Sequence, residues 1–359
     1  MAEQNLLLRA TCHADPRIAN ESWAQLCASL GGPNAVIDAA MGGSEERLLP
    51  LLGTRDRVLP LEPEIVGRCD DATATAWGLN LRLINEITPV LRAWKAAGVQ
   101  ALALKGLGLL GDVYPEHQLR PIGDADLLVR RDQLTLALHT LTQLGWQVPR
   151  NKALHFRGGG TAVNFGNTTG ASIDIHLRPS RNIPVRPQHE LAVWNDVESL
   201  PASNPLNGLG MRRPNAVQHA LTLIAHIARP RNAHMVHPLV DLHRLLTRRT
   251  DLHTPEAAAA LREAAQYEYM TLRTAHVLTQ LADILGTRLP LDPRTLTPPD
   301  AEAEAIERHV MAAEERIAGD DTRHHMSDLV AISTAGQGTA VRMKVRAGLL
   351  LRRTIARAD

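Results

Sequence analysis

Apolar positions recur at helical spacing along most of the chain, and the pattern shortens to strand-like runs in one central stretch. Over residues 1–97 it is helical: Leu6–Leu8 and Trp23–Leu30 form patches that stop at Gly31-Gly32-Pro33, and Glu45–Leu52 forms another that stops at Gly53. The longest predicted helix starts near Asp71 as N-cap, carries Leu79, Leu83, Ile87, Leu91 and Trp94 on one face, and stops at Gly98. Pro89 lies inside it and lacks an amide donor, which predicts a kink or break near Thr88.

The strand-like stretch follows. Val99–Leu104 is apolar and bounded by Gly98 and Gly106, so it predicts a buried strand with Lys105 at its end. Gly106 is expected to turn the chain into a helix from Leu107 to about Val113, whose first amides lack intrahelical partners and suit a phosphate oxygen. After a turn at Gly123, Ala125–Val129 predicts a second strand, and Asp124 and Asp126, two apart, point to one face. Asp132–Gly145 predicts an amphipathic helix with Asp132 as N-cap and Leu134, Leu138, Leu141 and Leu144 on one face. Ala153–Arg157 and Thr161–Phe165 flank three glycines, which reads as a hairpin turn. A phosphate-cradling loop is the sharper alternative, but no Lys-Ser or Lys-Thr follows as a P-loop needs. Ser172–Arg178 alternates strictly, placing Asp174, His176 and Arg178 on one face and Ile173, Ile175 and Leu177 in a core.

This order of elements predicts an α/β (α+β) core with a mixed sheet and helices mainly on one face. Prolines crowd the connector from Pro179 to Pro214, which has room for small strands. A helical region then starts with Pro214 in a first turn and runs through Val217, Leu221 and Ile224, then Leu239–Leu246, Pro255–Tyr269, Leu272–Leu285 and Glu302–Ile317. Three units are expected: an N-terminal helical region (1–97), a core (98–200) and a C-terminal helical domain (201–359).

Composition narrows the function. With 359 residues, 44% hydrophobic and 21% charged, the chain can bury a large core. No apolar run approaches the ~18 residues of a membrane span. Met1–Arg9 contains Glu3 and no basic n-region or cleavage site, so a cytoplasmic location is expected. Cys12, Cys27 and Cys69 are odd in number and widely spaced, which favours buried apolar roles over disulfides or thiolate metal sites. A net charge of +1 gives no global field to recruit a polyanion, so long nucleic acid is not an expected partner.

Chemistry concentrates on the strands. Asp124 and Asp126 repel each other unless something positive lies between them, and paired carboxylate oxygens suit Mg²⁺. Asp174 supplies a third acid. Lys105 is either a solvated strand-end charge, a phosphate contact or the neutralising partner of an acid. Arg120 either clamps a phosphate with its two-pronged donor face or pairs with one of the acids. Histidines 219, 226, 234, 237 and 243, with Asp241, raise the question of a second metal site. No His-x-x-x-His or His-Glu-x-x-His spacing occurs there, so bonds to substrate or backbone are the expected use. Near the end, Arg342, Lys344, Arg346, Arg352, Arg353 and Arg357 share a predicted helix. It reads as a solvated basic face, an anionic-ligand patch, or a membrane-surface or partner helix.

Lys105-Gly106, Arg120-Pro121-Ile122-Gly123-Asp124-Ala125-Asp126-Leu127-Leu128-Val129, and Asp174 two residues before His176 together resemble the polymerase-β-type nucleotidyltransferase superfamily. Within it they resemble a bacterial branch with Leu-Lys-Gly where the wider superfamily has Gly-Ser. The resemblance is densest over residues 75–178 and looser in the flanking helices. It implies transfer of a nucleoside monophosphate from a nucleoside triphosphate to an acceptor the sequence does not identify, with release of pyrophosphate. It assigns Asp124, Asp126 and Asp174 as catalytic ligands of Mg²⁺ or Mn²⁺, and places Lys105, Gly106, Arg120, Gly123 and His176 around the nucleotide. His226 and Asp241 match a His and a later Asp of that branch and are expected to line the cleft. Leu107 stands where the wider superfamily places a phosphate-contacting Ser. A nucleotide-binding module without turnover is the alternative, because fold does not fix activity.

Overall fold

Six strands join in one mixed sheet in the computed structural model, which describes residues 2–55, 57–147, 162–179, 193–229 and 235–318. They are β1 (Ala101–Ala103), β2 (Ala125–Val129), β3 (Ala162–Gly166), β4 (Ser172–His176), β5 (Val197–Ser199) and β6 (Arg212–Pro214), in the spatial order β3-β4-β2-β1-β6-β5. β1 runs antiparallel to β2 and parallel to β6; β2 runs parallel to β4; β3–β4 and β5–β6 pair antiparallel. Every residue of β2 is buried, as befits an apolar run at the middle of a covered sheet. The parallel register sets Asp126 opposite Asp174 and Leu128 opposite His176, so the acids share a face on neighbouring strands.

Helices flank the sheet on both sides of it in the chain. Ala2–Cys12, Pro16–Leu30, Pro33–Ala40, Leu49–Gly53 and Pro63–Ala96 precede it. Ala216–Ile227, His237–Arg248, Pro255–Tyr267, Thr271–Leu285 and Ala301–Ala318 follow. One continuous apolar cluster runs from Leu7 through β1, β2 and β4 to Leu296, so the expected regions share a core. No helix among the described residues is long and apolar enough to cross a membrane. The glycine turn at 157–160, His234 and the basic stretch 342–357 lie outside the described residues.

Several local expectations change. The long helix begins at Pro63, not Asp71, because Glu62-Pro63 supplies an extended residue followed by a proline in the first turn. Its buried stripe is Ile65, Cys69, Ala76, Asn80, Leu83, Ile87, Val90, Leu91 and Trp94, while Leu79 is 42% exposed. The helix passes through Pro89 without a break, and Thr88 Oγ1 turns back to Ile84 O at 2.6 Å. It ends as expected, with Gly98 in the left-handed region at φ 74°. The helix after β1 is only Lys105–Leu109. It stops because Leu110 is extended and Gly111, at φ 100°, packs where a Cβ would lie 2.8 Å from Ser203 Oγ. Asp132 pairs with Arg130 instead of capping Leu134–Gln143, and Leu144 is 43% exposed. Pro214 ends β6, and Asn215 caps Ala216–Ile227 by accepting from the Gln218 amide.

Candidate active site

Asp126 is a charged side chain on a strand buried along its whole length, and it is only 6% exposed. Such a carboxylate needs partners. Lys105 Nζ donates to its Oδ1 at 2.6 Å, and His176 Nε2 lies 2.7 Å from the same oxygen. Burial alone would raise this carboxyl, but the Lys105 ammonium and the His176 imidazole hold it well below the usual range. Asp126, Asp174 and His176 can each offer one ligand atom within 4.8 Å of the others. This group shares Asp126 and Asp174 with the three-acid set read from the sequence. Asp124, one residue before β2, is not a member, yet it feels the same charges. Burial and then the Asp126 carboxylate push it up to about 6, against the pull of Lys105. Asp124, raised by burial and by the Asp126 and Asp174 carboxylates beside it, borders a site that fits a hard divalent cation, which would relieve that repulsion and take oxygen ligands from substrate phosphates as well.

The cation on Lys105 reaches Asp126 because of its backbone. Lys105 itself has φ 44°, so the sharp turn after β1 falls on the lysine and not on Gly106 as the sequence suggests. A left-handed lysine costs about 1–2 kcal/mol and persists where surrounding contacts fix it. Gly106 lies against Arg120, where a Cβ would sit 3.4 Å from Nη2. Two buried asparagines, which sequence reasoning missed, fix the segments around the site. Asn80 donates to His117 O and Arg120 O, each at 2.9 Å, and accepts from the Ile122 amide at 2.9 Å, so the long helix holds the loop leading to Gly123 and Asp124. Asn204 donates to Leu107 O and Leu110 O, both at 2.9 Å, and pins the short helix. The available signal for Asn80 was a polar residue on an apolar helical stripe.

Arg120 pairs with an acid, but a distant one. Its Nε and Nη2 meet Asp241 Oδ1 and Oδ2 at 2.7 and 2.8 Å, and Tyr114 Oη also donates to Oδ1 at 2.8 Å. Asp241 is 1% exposed, so its carboxylate is enclosed by these donors and does not face an open cleft. His226 stands near Lys105, Asp126 and His176; burial first, then Lys105 and Arg229, lower it to about 2, so it is neutral. His237 is likewise held well below its usual range by burial and then by Arg120 and Arg47. Arg47, on the short turn Ser44–Leu48, is the other residue the sequence did not single out. Its Nη2 lies 3.0 Å from where a Cβ on Gly123 would be, and it makes no hydrogen bond or ion pair among the described residues.

A mixed sheet with acids on adjacent parallel strands, a short cation-bearing helix after the first strand, and helical flanks defines a nucleotidyltransferase core. A family model described as an uncharacterised nucleotidyltransferase matches residues 43–280, and the chain belongs to that family. The match takes in Arg47, His226 and Asp241 as well as the sheet. No curated protein and no solved structure matches the chain.

Proposed function

We propose that the protein is a Mg²⁺- or Mn²⁺-dependent nucleotidyltransferase that moves a nucleoside monophosphate from a nucleoside triphosphate to an acceptor nucleophile. The observation that carries this reading is the Asp126–Asp174–His176 group beside Lys105, within a chain of the nucleotidyltransferase family. A bound divalent cation would supply charge stabilisation on the attacking and leaving oxygens. Asp126 and Asp174 would hold it, with Asp124, which interacts with the charges of both, as the third carboxylate.

The chain's own residues divide the remaining work. Lys105 and His176 keep Asp126 ionised and oriented, despite its burial. Asp174 is half-buried and its side chain has no hydrogen-bond partner among the described residues, so its carboxylate is available either to complete the cation's ligand set or to accept the acceptor's proton. In the transfer the acceptor bonds to the α-phosphorus, the bond from that phosphorus to the β-bridging oxygen breaks, and pyrophosphate leaves. The near-neutral net charge supports a small molecule or a peptide group as acceptor over long nucleic acid. The test is incubation with each labelled nucleoside triphosphate, a divalent cation and a cell extract, with Asp126→Asn as control. Label on an acceptor and released pyrophosphate, both absent in the control, support the transferase. Nucleotide binding with no pyrophosphate from any triphosphate marks a binding module and overturns it.

A further inference from the structure

We infer that Arg47, delivered by the N-terminal helical region, is the guanidinium that grips the triphosphate. The inference rests on the nucleotidyltransferase reading and adds a residue to it. Among the arginines around the acid cluster, Arg120 has a committed donor face: two of its nitrogens are spent on Asp241, and Nη1 donates to the Pro121 carbonyl at 2.5 Å. Lys105 is likewise engaged with Asp126. Arg47 is different. It is half-buried, it stands over Gly123 at the mouth of β2, and both Asp124 and Asp241 are close enough to act on its charge. Yet it makes no hydrogen bond or ion pair among the described residues.

A guanidinium in that position is half-buried yet has donors that the described residues leave unused. The neighbouring cations make this worse. Burial and then Arg120 disfavour its charge, and His237, whose buried Nδ1 has no hydrogen-bond partner, stands in the field of both arginines. An acceptor-only, multiply charged group resolves all of these at once. A polyphosphate offers oxygens in the spacing that a planar guanidinium reads two at a time. Its other end would then reach the cation held by the strand carboxylates, so the subsite sits on the path a triphosphate must follow. Gly123 is what gives Arg47 this space, since any side chain there would push the guanidinium aside.

The probe is inorganic tripolyphosphate, titrated calorimetrically without divalent cation into wild type, Arg47→Ala, Arg47→Lys and Gly123→Ala, with urea unfolding to confirm that each is folded. Arg47→Ala is expected to weaken binding about ten- to a hundred-fold, the worth of a charge-assisted bidentate contact. Arg47→Lys should recover part of that loss. Gly123→Ala should weaken binding although Arg47 is retained, because the added Cβ displaces its guanidinium. Unchanged affinity in folded Arg47→Ala overturns the inference, and the transferase reading survives if Asp126→Asn still abolishes label transfer. Weakened affinity in Arg47→Ala with no turnover by wild type sustains the anion grip and removes the transferase. A wild type that binds neither tripolyphosphate nor any nucleoside triphosphate overturns both.

Discussion

Replacing Lys105 separates a structural from a substrate role for its ammonium. The Lys105 and Asp126 side chains are 17% and 8% exposed, so this is a largely desolvated pair at 2.6 Å. Removing one partner of such a pair leaves a buried charge uncompensated, which costs about 3–5 kcal/mol. His176 stays beside the same oxygen and softens the loss, so Lys105→Ala should cost about 3 kcal/mol, a large part of the total stability of a typical domain. The backbone adds a second, independent expectation. At φ 44° an alanine is strained and a glycine is not, so Lys105→Gly should be about 1 kcal/mol more stable than Lys105→Ala, the reverse of the order inside an ordinary helix. Urea unfolding with unchanged m-values reads both numbers. A double-mutant cycle with Asp126→Asn should return a coupling of about 2 kcal/mol, because the double variant has no buried charge to strand. Mg²⁺ or Mn²⁺ should raise the urea midpoint of Lys105→Ala more than that of wild type, since the cation replaces the missing ammonium. A Lys105→Ala protein within about 0.5 kcal/mol of wild type would refute the pairing, and a glycine variant less stable than the alanine one would refute the backbone argument.

Other outcomes follow from the same geometry. Asp126→Asn and Asp124→Asn should each abolish metal-dependent turnover in a folded protein, and Asp124→Asn should unfold at no lower urea concentration than wild type without metal, because it removes a carboxylate that burial and Asp126 disfavour. Arg120→Ala should cost about 3–5 kcal/mol by stranding Asp241, and Tyr114→Phe about 1.5–3 kcal/mol by deleting one donor to that carboxylate, both measured by urea unfolding. Around β5 and β6, Arg249 bonds Glu198 and Asp251, and Arg213 bonds Glu198 and Asp112. Arg249 lowers Asp251 directly, while for Glu198 and Asp112 the arginines prevail over burial. Folded values below the unfolded ones mean stability that is complete above about pH 5 and lost as pH falls through the folded values. The urea midpoint should therefore drop between about pH 5 and 3, and Arg249→Gln should flatten that drop; an equally steep drop in the variant would show that other carboxyls carry it.

Much of the sheet was legible because its central strands are short apolar runs between glycines. β1, β2 and β4 fall where Val99–Leu104, Ala125–Val129 and Ser172–Arg178 place them, though β1 and β4 are shorter. β5 and β6 are three residues each, too short for alternation to register, and exist because the edge of β1 gives Arg212 a partner in Leu102. Errors at helix ends have local causes. Residues 63–70 include Glu64, Gly67, Arg68 and Asp70, so the apolar period is weak there and Asp71 looked like the start, while the proline at position 63 was the stronger signal. On the same helix Leu79, expected inside, lies at the surface and Asn80 is buried beside it, where its amide satisfies three carbonyl and amide groups of the 117–122 loop.

The acids were visible, but which acid each cation pairs with was not, and the difference is one of sequence distance. Spacing of two along a strand puts Asp174 and His176 on one face from the chain alone, and a parallel register then lays Asp126 beside them. The charges that make those acids usable come from elsewhere. Lys105 is 21 residues from Asp126, and Arg120 is 121 residues from Asp241. No periodicity encodes such pairs, because each forms only after separate elements have packed. The consequence for the site is asymmetric. In sequence, Lys105 and Arg120 read equally as phosphate contacts or as partners of an acid, and packing commits both to carboxylates while it leaves Arg47 uncommitted. The free guanidinium lies on a turn that the pattern marks only as the start of a short helix, which is why the residue with the most capacity for an anion was the one that its local sequence recommended least.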